Sequence, residues 1–246
     1  MSLSGLICEM GMPRIDFITD INKDFAEALG YREVDRFMRK ILWWHFGVFT
    51  SLVFANSVLK LANHYPSPFS WRVISSNEAI IALIIALLAT TIPFYLAGKI
   101  KNHYLWRILI TVAFVTYSYL FVFVSGGSIE MHFHFFIVAA LIVMYADWRL
   151  GWILLFFTAL HHGILNYLEP GWVYFYGRND LSVVSHVIPV LVAVIFTSAV
   201  CEIIRGGVMA LDLTNRGIVA KLDKDKLLNK QTQKRSLRSS RQRQAN

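Results

Sequence analysis

Long apolar runs separated by short polar stretches dominate the chain after residue 35. They read as six segments, at about 38–61, 77–98, 103–124, 129–146, 150–169 and 181–204. Each approaches the roughly 20 residues that an α-helix needs to cross a hydrocarbon core about 30 Å thick. Whole runs carry almost no charge, and no two-sided stripe of the kind a water-soluble core requires is present. The pattern predicts an all-α polytopic membrane protein, a six-transmembrane-helix bundle. The fourth run is the shortest, as a helix that starts inside the protein would be. Pro93 and Pro189 fall within the second and sixth runs, where a local kink is expected. Three parts result: an N-terminal cytoplasmic amphipathic segment at 1–34, the six-helix domain at 35–206, and a basic cytoplasmic tail at 207–246, helical and then disordered. In the first part Ile15, Ile18, Phe25 and Leu29 would form the apolar side of a short surface helix. No leader-like pattern precedes it, so the first run directs insertion.

Composition agrees: 56% of the 246 residues are hydrophobic and the mean hydropathy is +0.49. The net charge of +8 is concentrated at one end. From Lys221 onward nine basic residues face only Asp223 and Asp225. Such a tail is attracted to anionic lipid. It lacks aromatic side chains for base stacking, so nucleic acid is not an expected partner. Basic residues near the run ends also set orientation. Arg36, Arg39, Lys40, Lys99, Lys101, Arg107, Arg149 and the tail share one side, against Arg72 and Arg178 on the other. Both termini are therefore expected on the cytoplasmic side of the membrane. The opposite loops hold His64, Trp71, Trp172, Tyr174 and Tyr176, an interfacial aromatic belt. Cys8 and Cys201 both fall near the inner side, with no CxxC spacing, so neither a disulfide nor a cysteine zinc site is expected.

The chemistry lies in the histidines. Five of the eight fall in the last three runs: His132 and His134, His161 and His162, and His186. Ionisable groups in a span are costly and mark functional sites. At a rise of about 1.5 Å per residue, these three runs of alternating direction place their histidines in one layer of the outer leaflet. A single buried imidazole is most simply a packed, hydrogen-bonded group, but five at one depth suggest a metal site. Glu130 would be a ligand or would orient a ligand imidazole. Met131 and Asn166 are weaker candidates, and His45 should lie well below the layer. His132 and His134 point about 200° apart and His161 and His162 about 100° apart on straight helices, so each pair should divide between sites or roles. Imidazole with thioether and carboxylate suits copper, iron or zinc, and facing imidazoles could instead hold haem. Asp147-Trp148-Arg149 reads as an inner turn with an interfacial ion pair and a tryptophan anchor.

The run GGSIEMHFHFF, then YADWR, then LHHG, then a proline, an aromatic loop and a histidine early in the last run resembles a known family. It is similar to the N-terminal six-span membrane sensor module of bacterial signalling proteins, which precedes histidine kinase, diguanylate cyclase or chemotaxis-receptor output domains. The likeness covers about residues 36–206. It is carried by Glu130, His132, His134, Phe135, Asp147, Trp148, Arg149, His161, His162, Pro170 and His186. The resemblance implies signal transduction from a metal, a metal-held molecule or a redox change to a cytoplasmic partner. The family's output domain does not follow the last run here. The chain either stops short of that domain or acts as a stand-alone module, with homodimerisation open. A membrane oxidoreductase and a metal-handling or assembly factor are the alternatives. The small number of histidines weighs against a dinuclear oxidase.

Overall fold

The computed structural model describes residues 31–58, 74–97, 99–100, 102–174 and 180–245. The surface helix expected in 1–34 lies almost wholly outside them, as do His64, Trp71 and Tyr176. Among the described residues the chain is all-helical, with no strand. It divides into two compact units. One spans Gly30–Ile204; in the other the described part is 205–245.

Helix α1 (Tyr31–Ser57) buries Met38, Leu42, Phe49, Val53 and Asn56, one stripe at helical spacing. Helix α2 (Ser76–Leu96) starts at a capping box in which Ser75 and Glu78 satisfy each other's backbone N–H. Its buried face is small (Ala79, Ala82, Ala86, Thr90), so a neighbour packs closely, and Pro93 stays within the helix. Its other face presents Ile80, Ile81, Ile84, Leu88 and Phe94, each about half exposed. Helix α3 (His103–Val124) is the centre: 67% of its apolar stretch is buried, against 28% for α2. Asn102 caps it through the N–H groups of Tyr104 and Leu105.

The fourth run is broken. Ile129–His132 (α4) and His134–Ile142 (α5) meet at Phe133, and a 3₁₀ turn, Val143–Tyr145, follows. Ala146 then takes a left-handed conformation (φ 47°), and Asp147 caps α6 (Trp148–Leu168) by accepting from the Arg149 N–H. After a 3₁₀ turn at Pro170–Trp172 comes α7 (Asp180–Ala245), with Pro189 inside it.

Among the described residues, four helical stretches are long and apolar enough to cross a membrane: Ser76–Leu96, His103–Val124, Trp148–Leu168 and a segment of α7. Six were expected, and two fall short for different reasons. The first turns of α1 are charged (Arg32, Glu33, Asp35, Arg36, Arg39, Lys40), which dilutes its hydropathy. Ile129–Tyr145 is shorter, reaching about 26 Å at 1.5 Å per residue. The tail also departs from expectation, since helix continues to Ala245 where disorder was expected.

Candidate metal centre

The site starts from a glycine turn. Ser125 and Ser128 are buried, so α4 begins inside the bundle rather than at its rim. Gly126 and Gly127 have φ of 70° and 79°, the region that suits glycine. A Cβ on Gly127 would stand 2.6 Å from the backbone of Val173 and Tyr174. The turn therefore admits the segment after α6, held also by Phe123 against Trp172. Tyr174, expected in an outer aromatic belt, is instead 1% exposed, and its hydroxyl lies 3.2 Å from His162 Nδ1.

Beside Tyr174 three imidazoles converge from three helices. The ring centres of His132 and His162 are 5.2 Å apart, of His132 and His186 4.8 Å, and of His162 and His186 5.3 Å. With metal–nitrogen bonds of about 2.0–2.1 Å and tetrahedral angles, ligand imidazoles have centres about 5 Å apart. The spacing is thus that of three ligands around one ion. The donor atoms themselves have not converged: among the described residues, no group of three or more His, Cys, Asp or Glu is arranged to hold a metal ion. His132 Nδ1 lies 2.8 Å from the Ser128 carbonyl, which only accepts, so Nδ1 carries the proton and Nε2 the lone pair. That Nε2 is buried with no hydrogen-bond partner. Metal-bound histidines are commonly held in this way. A cavity of about 350 Å³ adjoins the three rings, lined also by Phe135, Phe136 and Pro189. Two imidazoles on opposite faces of a haem need centres about 6.4 Å apart, so no pair here spans a haem as it stands.

The other expected residues separate. The break at Phe133 sends His134 elsewhere: its ring centre is 5.0 Å from that of His45 and 4.7 Å from Phe121. His161 stacks on Tyr119 at 4.1 Å and 5°, and its Nε2 is also buried and unbonded. Its ring still lies 5.2 Å from His162. Glu130 is half-buried with Oε2 unbonded, Asn166 is fully buried one turn beyond His162, and Met131 is not among the side chains lining the cavity. His103 is exposed.

His45 was expected well below this layer, yet it touches His134. That expectation started α4 at the membrane boundary, whereas the Ser125–Ser128 turn ahead of it is buried among the helices. A sequence signal existed: His45 continues the stripe Met38, Leu42, Phe49, Val53, which is the buried face of α1. Tyr174 and Ser118 offered no such signal.

Asp147 and Arg149 do pair, at 2.8 Å, but the expected interfacial turn is buried on one side. Asp147 also binds Arg107 at 3.0 Å, and these two side chains are 4% and 3% exposed. Arg107 donates further to the His103 carbonyl and the Tyr31 hydroxyl. Nearby, partial burial pushes the Asp35 carboxyl above its ordinary range; the Tyr145 hydroxyl and Trp106 N–H lie near it without completing a hydrogen bond.

The chain matches no family model, no curated protein and no solved structure.

Proposed function

We propose that the chain is a membrane-embedded module that binds a transition metal at His132, His162 and His186, with Tyr174 steadying His162. The observation that carries this is the near-equilateral spacing of the three rings, 4.8–5.3 Å. Copper, iron or zinc fits an imidazole set. The metal would supply a Lewis-acidic or redox-active centre, and the three side chains would hold it by turning their nitrogens inward. Binding energy would be expressed as a rearrangement of α4, α6 and the start of α7, because each supplies one ring. Helix α7 carries His186 and runs on past Ile204, which gives a route for occupancy to reach a cytoplasmic partner or output domain. The four apolar helices, with α1 and the broken α4–α5 element, would then make six crossings with both termini inside a bacterial plasma membrane. The likeness to bacterial sensor modules supports the signalling part of this reading.

A membrane oxidoreductase is the second reading, favoured by the 350 Å³ cavity beside the rings, since three protein ligands leave one position for a substrate. Metal analysis of detergent-purified protein tests the shared premise. His162→Ala and His132→Ala are each expected to bind about one ion per chain fewer than wild type while both variants stay monodisperse. Equal metal content in wild type and variants would end the proposal. Turnover of an electron donor by the loaded protein would favour the enzyme over the sensor.

A further inference from the structure

A second pair of imidazoles stands apart from the three just described. His45 of α1 and His134 of α5 have ring centres 5.0 Å apart, at 73°. Hydrogen bonding fixes the His45 tautomer and permits the matching one at His134. His45 Nδ1 lies 2.8 Å from the Ile41 carbonyl, which can only accept, so this nitrogen is protonated and Nε2 holds the lone pair. His134 Nδ1 lies 2.8 Å from Ser118 Oγ, which also stands 3.4 Å from the Phe114 carbonyl. When Ser118 gives its proton to Phe114 it accepts from His134 Nδ1, and His134 Nε2 then carries the lone pair that a metal would take. That Nε2 is buried without a partner in a side chain only 8% exposed. Two neighbouring lone-pair nitrogens call for an electrophile.

The surroundings select which one. Rings of Phe114, Tyr117 and Phe121 lie within 6.4 Å of the His45 ring centre, and among the described residues no carboxylate acts on either imidazole. A divalent ion between two neutral imidazoles would bury two uncompensated charges, whereas a monovalent soft ion buries one and is favoured by aromatic faces. We infer that His45 and His134 form a second metal site, selective for Cu(I), in which the two Nε2 atoms are the protein ligands and further coordination positions remain open. Ser118 and the Ile41 carbonyl are the groups that orient the ligands.

The test uses the full chain in detergent, under reducing and oxygen-free conditions, with Cu(I) titrated against a colorimetric Cu(I) chelator. The background is His162→Ala, which breaks the three-histidine site. One Cu(I) per chain is expected in that background. It should vanish on adding His134→Ala or His45→Phe, the latter chosen to pack among Phe114 and Phe121. It should survive His45→Met, which keeps a soft donor, while Zn(II) does not occupy the pair in any variant. Absence of Cu(I) in the His162→Ala protein, or its persistence in His162→Ala/His134→Ala, would overturn the inference. Failure of the three-histidine reading shows separately, as wild type binding no more metal than His162→Ala.

Discussion

Two buried polar clusters occupy this bundle, and they are built on opposite principles. Around Asp147 every charge is answered. The carboxylate takes Arg107, Arg149 and a backbone N–H, and Arg107 divides its remaining donors between a carbonyl and a tyrosine hydroxyl. Around the histidines the opposite holds, since Nε2 of His132, His134 and His161 is buried and unbonded in each case. A fully paired cluster has nothing left to offer a ligand and defines geometry, here the left-handed turn between the 3₁₀ segment and α6. A cluster with unused lone pairs pays an unsatisfied-group penalty of about 1–3 kcal/mol apiece, which a ligand could remove. The contrast separates scaffold from site more sharply than residue type does, because both clusters are ionisable groups within apolar helices.

The largest effect should fall on the scaffold. Asp147→Ala leaves the Arg107 guanidinium buried without its counter-ion, at a cost of about 3–5 kcal/mol. Thermal unfolding in detergent should show a large drop or failure to accumulate, whether or not metal is present. Arg149→Ala should cost far less, about 0–1 kcal/mol, because that side chain is 39% exposed. His162→Ala reverses the pattern, with metal binding at the three-histidine site lost and folding nearly retained. If Asp147→Ala and His162→Ala lowered stability equally, the distinction between the clusters would collapse.

Much of this division could be read from the chain, and the part that could not has identifiable causes. Apolar runs located the helices because exposed and core-facing positions are both hydrophobic. On a straight helix His132 and His134 point about 200° apart; here a break at Phe133 lies between them, with His132 beside His162 and His186 and His134 beside His45. The destination of His134 was illegible, because it depends on how far the Ser125–Ser128 turn sinks, and that is decided by the docking of Val173 and Tyr174 on Gly127. Arg107 entered the sequence reading only as a marker of orientation. Its position five residues into α3, a helix with no other Asp, Glu, Lys or Arg, was the available hint that it is an internal ion partner.

The docking of Tyr174 on the glycine turn joins scaffold to site, and two substitutions probe that joint in descending order. Gly127→Ala places a methyl 2.6 Å from the Val173 and Tyr174 backbone at a φ of 79°, a strain of about 1–3 kcal/mol. The 169–174 segment should lift, so reduced stability and weakened metal binding should appear together. Tyr174→Phe removes only the hydroxyl near His162 Nδ1. Metal affinity measured by competition titration should fall about 10-fold, the lower end for an outer partner of a ligand, with the melting temperature nearly unchanged. A Phe variant with wild-type affinity would make Tyr174 a packing residue alone.

The smallest effect belongs to Asp35, beside the scaffold rather than in it. Burial is the main reason its carboxyl titrates above the ordinary value of 3.8. The folded protein therefore holds this proton more tightly than the unfolded chain, so the stability it contributes is complete below about pH 3.8 and is lost as pH rises through the higher folded value. Asp35→Asn keeps the shape and removes the titration. Melting curves of the variant should lose this decline and lie slightly above wild type at neutral pH. A variant that melts lower at neutral pH would mean that Asp35 is ionised and paired, with His103 and Arg39 as the charges acting on it, and the fully answered cluster around Asp147 would then extend one residue further.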